Sequence, residues 1–289
     1  MASHYTYNNQ PPGLWPLYSR ALTGGSRTSS TEQGLPPLSA EIIGARTTGP
    51  KLARYEAVCG FQPRTSVPIT WPHILAFPLH LQLLTDPQFP LPLLGLVHLR
   101  NRITQHRAIG RGELLDLSVR LDGEQHSERG LEFDLVTEAR IGGHLVWEEV
   151  STNLYRQGGG QGKKGEKPAL PRYPHSLTVK APENLGRRYG KVSGDLNLIH
   201  VHALTAKAFG FPRAIAHGMW SKAHILALLE QQAGWHKGPV TITCAFKKPL
   251  FLPGEAQLNW QENEHHWQYQ LLNQAGDAPH LSGDIRWHR

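Results

Sequence analysis

The stretch Tyr189-Gly-Lys-Val-Ser-Gly-Asp-Leu-Asn-Leu-Ile-His200 decides how the rest of the chain reads. It sets Asp195, Asn197 and His200 on one short polar loop that runs into a helix starting near His200, with Tyr189 in a turn just before it. Ser, Gly, Asp and Asn are also what any turn or helix N-terminus uses, because their side chains satisfy free backbone N–H groups. The residues downstream narrow the reading. Ala206 is followed by Phe209-Gly-Phe-Pro212, and Ile215-Ala-His-Gly-Met219 then opens an apolar helix that runs to about Gln231.

A counterpart lies in the first half of the chain. Tyr55, Val58, Cys59, Gly60 and Phe61 have the same spacing as Tyr189, Val192, Ser193, Gly194 and Asp195. This is an internal repeat of roughly half the chain length, the pattern of two copies of one fold. In each copy a helix leads to a second, mostly apolar helix, at Pro72 to Leu84 in the first, where Pro78 is expected to bend it. Strands follow at Leu96 to His106, Glu113 to Leu121, Leu131 to Ile141 and Leu145 to Tyr155 in the first copy. The second copy has Ser176 to Val179 ahead of its helices, then Val240 to Phe246, Ala256 to Gln261, Trp267 to Leu272 and Leu281 to Trp287. A buried helix followed by antiparallel strands predicts a sheet wrapped around that helix.

The copies differ where chemistry is concerned. Phe61 stands where the second copy has Asp195, and the first copy passes from Gly60 to Trp71 without the polar loop and helix found between Gly194 and Gly218. The Gly- and Lys-rich stretch 157–168 has no large apolar side chain and reads as a linker. The expected organisation is an N-terminal arm (1–36), extended and packing through Leu14, Trp15, Leu17 and Tyr18; a degenerate first copy (37–156); the linker; and a catalytic second copy (169–289).

The combination of motif and repeat resembles the MaoC-like family of hot-dog-fold hydratases and dehydratases, which includes R-specific enoyl-CoA hydratases. The resemblance rests on Tyr189, Ser193 to Asp195, Asn197, Ile199, His200, Ala206, Gly210-Phe211 and Ile215 to Met219, and the two-copy layout extends it over the chain from about residue 37. Leu198 and His202 depart from the family pattern, which has Pro and Asp there, both outside its catalytic positions. The resemblance implies an α+β double hot-dog, with two antiparallel sheets each wrapped around a central helix. It implies hydration of trans-2-enoyl-CoA to (R)-3-hydroxyacyl-CoA and the reverse dehydration.

The residues suit that chemistry on their own terms. A carboxylate and an imidazole sharing one water can take a proton from it and deliver one to the α-carbon, since His titrates near neutral pH. Asp195 and His200 are that pair, and Asn197 is placed to orient the water or the carboxylate. Negative charge builds on the thioester oxygen, and the side-chain-free N–H of Gly218, at a helix N-terminus, is the donor expected there. Ser193, Tyr189 and His217 are expected among the substrate-binding residues, His217 chiefly by shaping the turn. Lys247 and Lys248 match a basic position that the family uses near the coenzyme A phosphates. The space left by the first copy's missing loop suggests an acyl-tail tunnel lined by Phe61, Trp71 and Phe77, for medium or long chains.

Composition sets the limits around this reading. The chain has 289 residues, 39% hydrophobic and 18% charged, with 29 Gly and 22 Pro, so global disorder is excluded. A formal net charge of +7 favours an anionic partner. The basic residues are scattered, which argues against nucleic acid; the charge fits acyl-CoA and an acidic acyl carrier protein alike, and the family reading puts acyl-CoA first. No apolar run reaches the roughly 18–20 residues of a membrane span, and the polar start, Met1 to Gln10, lacks a signal-peptide layout. The expectation is a cytoplasmic protein with no membrane or nucleic-acid partner and no cofactor beyond substrate coenzyme A. Because two copies mimic a single-copy dimer, further homodimerisation is allowed but not required. Cys59 and Cys244 are expected reduced and buried. His200-x-His202 and the His265-His266 pair do not predict a metal site, because residues i and i+2 of a helix diverge and no carboxylate has ligand spacing nearby. The alternatives are a 3-hydroxyacyl-carrier-protein dehydratase of fatty acid synthesis, a hot-dog thioesterase, and a noncatalytic acyl-thioester binding protein.

Overall fold

The computed structural model describes residues 3–23, 34–93, 95–156 and 169–288; the linker expected at 157–168 lies outside the described residues. The first half runs β1 (Ser3–Asn8), α1 (Leu14–Thr23), β2 (Leu38–Arg46), α2 (Pro50–Cys59), α3 (Trp71–Leu84), β3 (Leu96–Gln105), β4 (Leu114–Ser127), β5 (Gly130–Ile141) and β6 (His144–Arg156). The second runs β7 (His175–Ala181), α4 (Leu185–Ser193), α5 (Leu198–Val201), α6 (Ala203–Ala208), α7 (Gly218–Leu229), β8 (Val240–Phe246), β9 (Gly254–Asn263), β10 (His266–Asn273) and β11 (Pro279–Trp287). The chain forms two compact units, one of Met1–Thr47, Trp71–Ile103 and Gly112–Lys167, the other of Thr48–Thr70, Thr104–Arg111 and Pro168–Arg289.

In the first unit the strand order is β1-β2-β4-β5-β6-β3. Strand β1 joins β2 in parallel, while β2, β4, β5 and β6 are antiparallel in turn. Side-chain alternation sets the inner face: β4 buries Leu115, Leu117 and Val119 and turns their neighbours outward. Helix α3 packs on β2, β4 and β5 and is buried on nearly every side, as a helix that is apolar all round must be. Its two histidines are accommodated by partners in the sheet. His73 Nδ1 lies 2.8 Å from Glu149 Oε2, and His80 Nε2 lies 2.8 Å from Thr137 Oγ1. Asn101 Nδ2 donates to Glu149 Oε1 and to Ser151 Oγ, completing a buried polar network. Burial alone would push the Glu149 carboxyl up, but His73, His80 and Asn101 outweigh it and hold Glu149 down at about 2.

The segment expected to be an extended arm instead supplies a strand and a helix. Pairing with β2 gives β1 a partner for its backbone, and α1 buries Leu17 (1% exposed) while Trp15 stays in solvent (79% exposed).

The second unit has strand order β8-β11-β10-β9-β7, antiparallel throughout, with α7 as its buried helix. Each unit thus sets a sheet against one central helix, the layout that the hot-dog resemblance implies. Tyr189 belongs to α4 rather than to a turn; that helix ends at Gly194 (φ 89°), as α2 ends at Gly60 (φ 85°), both left-handed and suited to glycine. Helix α2 packs in the second unit, beside α4 and α7. Trp220 Nε1 donates to Val58 O (3.0 Å), and His224 Nδ1 lies 2.8 Å from Cys59 O. Cys59 and Cys244 are free and buried, and burial pushes both thiols up. No helix of the described residues is long and apolar enough to cross a membrane.

Candidate active site

The loop after α4 is a ladder of side chain to backbone bonds. Ser193 Oγ accepts from Asp195 N (3.1 Å), Asp195 Oδ1 accepts from Asn197 N (3.1 Å), and Asn197 Oδ1 accepts from Ile199 N (3.4 Å), capping α5. The polar residues therefore do act as turn and cap formers, and do so while presenting Asp195 Oδ2. The amide oxygen of Asn197 accepts the cap bond and keeps a second lone pair.

The ladder lies directly on α4, and two residues that sequence reasoning passed over make room for it. A Cβ on Gly186 would sit 1.7 Å from His200 O, and one on Gly190 would sit 2.9 Å from Asp195 O. Their i, i+4 spacing puts both on one helix face, which is the signal that could have marked them.

His200 is buried at the end of the loop, with Nδ1 2.8 Å from Ile215 O. A carbonyl oxygen only accepts, so Nδ1 carries the proton and Nε2 of the neutral ring is a bare acceptor. The Ile215 carbonyl is itself fixed, since Ile215 N bonds Ile199 O and Ala216 N bonds Leu250 O. Burial lowers the His200 pKa, against the opposing pull of Asp195 and the Ile215 bond. The ring is therefore neutral at neutral pH.

His217 comes closer to the pair than a turn-shaping role required. Its ring stacks on His200 at 3.8 Å between centroids, its Nε2 lies 3.0 Å from Asp195 O and 3.9 Å from Asp195 Oδ2, and the Tyr189 ring covers it at 4.8 Å. Burial, then His200, pushes its pKa down to about 3. Asp195, with 32% of its side chain exposed, is the member of this trio that solvent reaches most readily.

Gly218 opens α7 and faces Phe246, whose ring carbon would stand 3.0 Å from an added Cβ. Lys247 and Lys248 follow that phenylalanine and are exposed. Phe61 is buried in the second unit, stacked on Tyr55 (6.3 Å), whereas Trp71, buried, and Phe77, half-buried, belong to the first.

His200 and His202 diverge as expected, with the exposed His202 capping α6 through Nδ1 (3.1 Å from Leu204 N). His266 pairs with Asp284 (2.6 Å) and His265 lies 3.6 Å from Glu264. Asp195 and His200 come together as the paired roles require, and His217 joins them: donor atoms of the three lie within 4.8 Å of one another. These three are the residues of the site that could hold a metal ion. Nδ1 of His200 and Nε2 of His217 already face backbone carbonyls, so one nitrogen of each ring remains.

Comparison with known proteins places the chain in a family. The MaoC like domain model matches residues 163–277. The chain is 34% identical over 282 residues to 3-hydroxyacyl-thioester dehydratase X of Mycobacterium tuberculosis, covering 96% of this chain and 99% of that protein. The crystal structure of HtdX of M. tuberculosis superposes with a TM-score of 0.76 at 33% identity, over 86% of this chain and 100% of that one. A MaoC-like dehydratase from Phytophthora capsici shares the fold at 18% identity, with a TM-score of 0.68 over 89% of this chain and 97% of that one. The chain belongs to the MaoC-like family of hot-dog-fold hydratases and dehydratases.

Proposed function

We propose that this chain catalyses the R-specific hydration of trans-2-enoyl-CoA to (R)-3-hydroxyacyl-CoA and the reverse dehydration. Asp195 and His200 hold one water. As its oxygen bonds to the β-carbon, His200 Nε2 takes the released proton and the double-bond electrons move onto the thioester oxygen. The Gly218 N–H meets that charge. The imidazolium then returns the proton to the α-carbon, so that one water is added and the pair is restored. Asp195 orients the water and stabilises the transient imidazolium, and Asn197 assists in orientation. No cofactor is needed beyond the coenzyme A of the substrate.

The observation that carries this reading is the bond between His200 Nδ1 and Ile215 O, which makes Nε2 the acceptor nitrogen of a ring that has a donor atom within 4.8 Å of an Asp195 carboxylate oxygen. Loss of enoyl-thioester absorbance tests it. Asp195→Asn and His200→Ala are each expected to lower kcat by about 10²–10⁴-fold; rates equal to the parent in both would reject the assignment. The same assay with crotonyl-CoA, a longer enoyl-CoA and a carrier-linked enoyl substrate separates the carriers, with coenzyme A expected to be preferred.

The family relationship and the +7 net charge support an acyl-CoA substrate, with Lys247 and Lys248 meeting its phosphates. The first copy, lacking the carboxylate, would house a medium or long acyl tail beside Trp71 and Phe77 of the first unit. A strict preference for four-carbon substrates would overturn that assignment of the tail.

A further inference from the structure

Five rings of the second unit form a file that ends at the proposed base. Phe61 stacks on Tyr55 (6.3 Å between centroids), Tyr55 meets Tyr189 (6.2 Å), Tyr189 meets His217 (4.8 Å), and His217 stacks on His200 (3.8 Å). Two of the five, Phe61 and Tyr55, come from the first copy. Phe61 is the residue that replaces the lost carboxylate.

Hydrogen bonds alone leave the His217 ring loosely held. His217 is bonded through Nε2 only, and its buried Nδ1 makes no bond among the described residues. Its ring plane is therefore set by what stacks on it. On one side that is His200, and Tyr189 bears on it as well. Behind Tyr189 stands Tyr55, fully buried, its hydroxyl 2.7 Å from Thr70 Oγ1. Helix α2 cannot recoil from this load. Trp220 and His224 of α7 bond its last carbonyls, Arg111 pairs with Glu56, and Arg64 pairs with Glu230 at the end of α7 (3.3 Å).

We propose that Tyr55 is a positioning residue for the reaction, its ring pressing Tyr189 onto His217 and so fixing the plane of His200. The inference rests on the role given to His200 above. The first copy thus contributes to catalysis without touching the reacting atoms.

The test compares the parent, Tyr55→Phe, Tyr55→Leu and His200→Ala in crotonyl-CoA hydration across pH. Tyr55→Phe keeps the ring and is expected within about twofold of the parent. Tyr55→Leu is expected to lower kcat by about 10–100-fold, the scale of a small misplacement at a reacting centre, with KM within about threefold. Loosening the file also hydrates His200, whose neighbours Asp195 and His217 are unchanged. The acid limb of kcat/KM should then move up towards the ordinary histidine value near 6.5. Parent kcat and an unmoved limb in a folded Tyr55→Leu would overturn the proposal, even if its melting temperature fell. Should that variant not fold, Tyr55→Met, which removes the ring but fills more of the space it leaves, is read by the same two criteria. An active His200→Ala would instead remove the catalytic assignment itself, whereas an inactive His200→Ala with a parent-like Tyr55→Leu would remove only the role of Tyr55.

Discussion

Helices α2 and α4 share the Tyr-x-x-Val-x-Gly spacing and end on equivalent left-handed glycines, yet they present different faces. Where α4 has Gly186 and Gly190, the same register in α2 has Leu52 and Glu56. Gly186 and Gly190 admit the backbone of His200 and Asp195, whereas Leu52 is buried as core and Glu56 is paired with Arg111. Losing the carboxylate, Asp195 becoming Phe61, is thus only part of the divergence. The first copy also lacks the groove in which such a loop could lie. Chemistry in this pair depends on the absence of side chains on a supporting helix as much as on the presence of reactive ones.

Giving α4 even one of the atoms that α2 carries is the sharpest way to break that contrast. Gly186→Ala drives a methyl group into the His200 carbonyl and forces the loop off the helix. The expected result is a fall in kcat of about 10²-fold and a destabilisation of about 1–3 kcal/mol, read from kinetics and from a melting curve. A variant that keeps parent kcat would show that the loop position does not depend on the groove.

A milder test concerns the anionic end of the substrate, expected on the second unit alone. Replacing Lys247 and Lys248 together by alanine should raise KM for enoyl-CoA by roughly 3–10-fold, about 1 kcal/mol, while leaving kcat unchanged. The difference from the parent should shrink with added salt. An unchanged KM at low ionic strength would move the phosphate site elsewhere.

The smallest effect separates the two units by acid sensitivity. His80 in the first and His217 in the second are both buried neutral rings with pKa values lowered by burial to about 3. Between the ordinary value of about 6.5 and about 3 the unfolded chain binds more protons at these sites, so stability falls as pH falls through that window. His80→Gln should blunt the decline in melting temperature between pH 6.5 and 4 while leaving the hydration rate at neutral pH as in the parent. An undiminished decline would place the acid-labile element outside this ring.

Strands β3 to β11 and both central helices were legible from apolar periodicity, to within a few residues at most ends, whereas β1 lay in the stretch expected to be an arm. Strand β2 was missed although Leu38, Ala40 and Ile42 alternate as a half-buried strand should, because Pro36 and Pro37 and the Gly- and Ser-rich stretch before them masked it. Helix α4 read as a turn for the reason it works: the glycines that seat the loop also depress helix propensity. Asp195, Asn197 and His200 were legible as a local motif. The approach of His217, twenty-two residues from Asp195 along the chain, was not, and neither was the placement of α2 with the second unit. Both are long-range packing events that local spacing does not encode.

That placement of α2 bears on how the molecule can be divided. Residues Thr48–Thr70 and Thr104–Arg111 belong to the second unit although they are encoded before the 157–168 stretch. A fragment starting beyond that stretch would carry every residue proposed to react, but it would leave the Trp220 and His224 donors without acceptors and uncover the Tyr189 ring. The two halves are therefore not interchangeable cassettes. A gene split or deletion at the apparent midpoint would remove part of the very half it was meant to preserve, which ties retention of the silent copy to the function of the other.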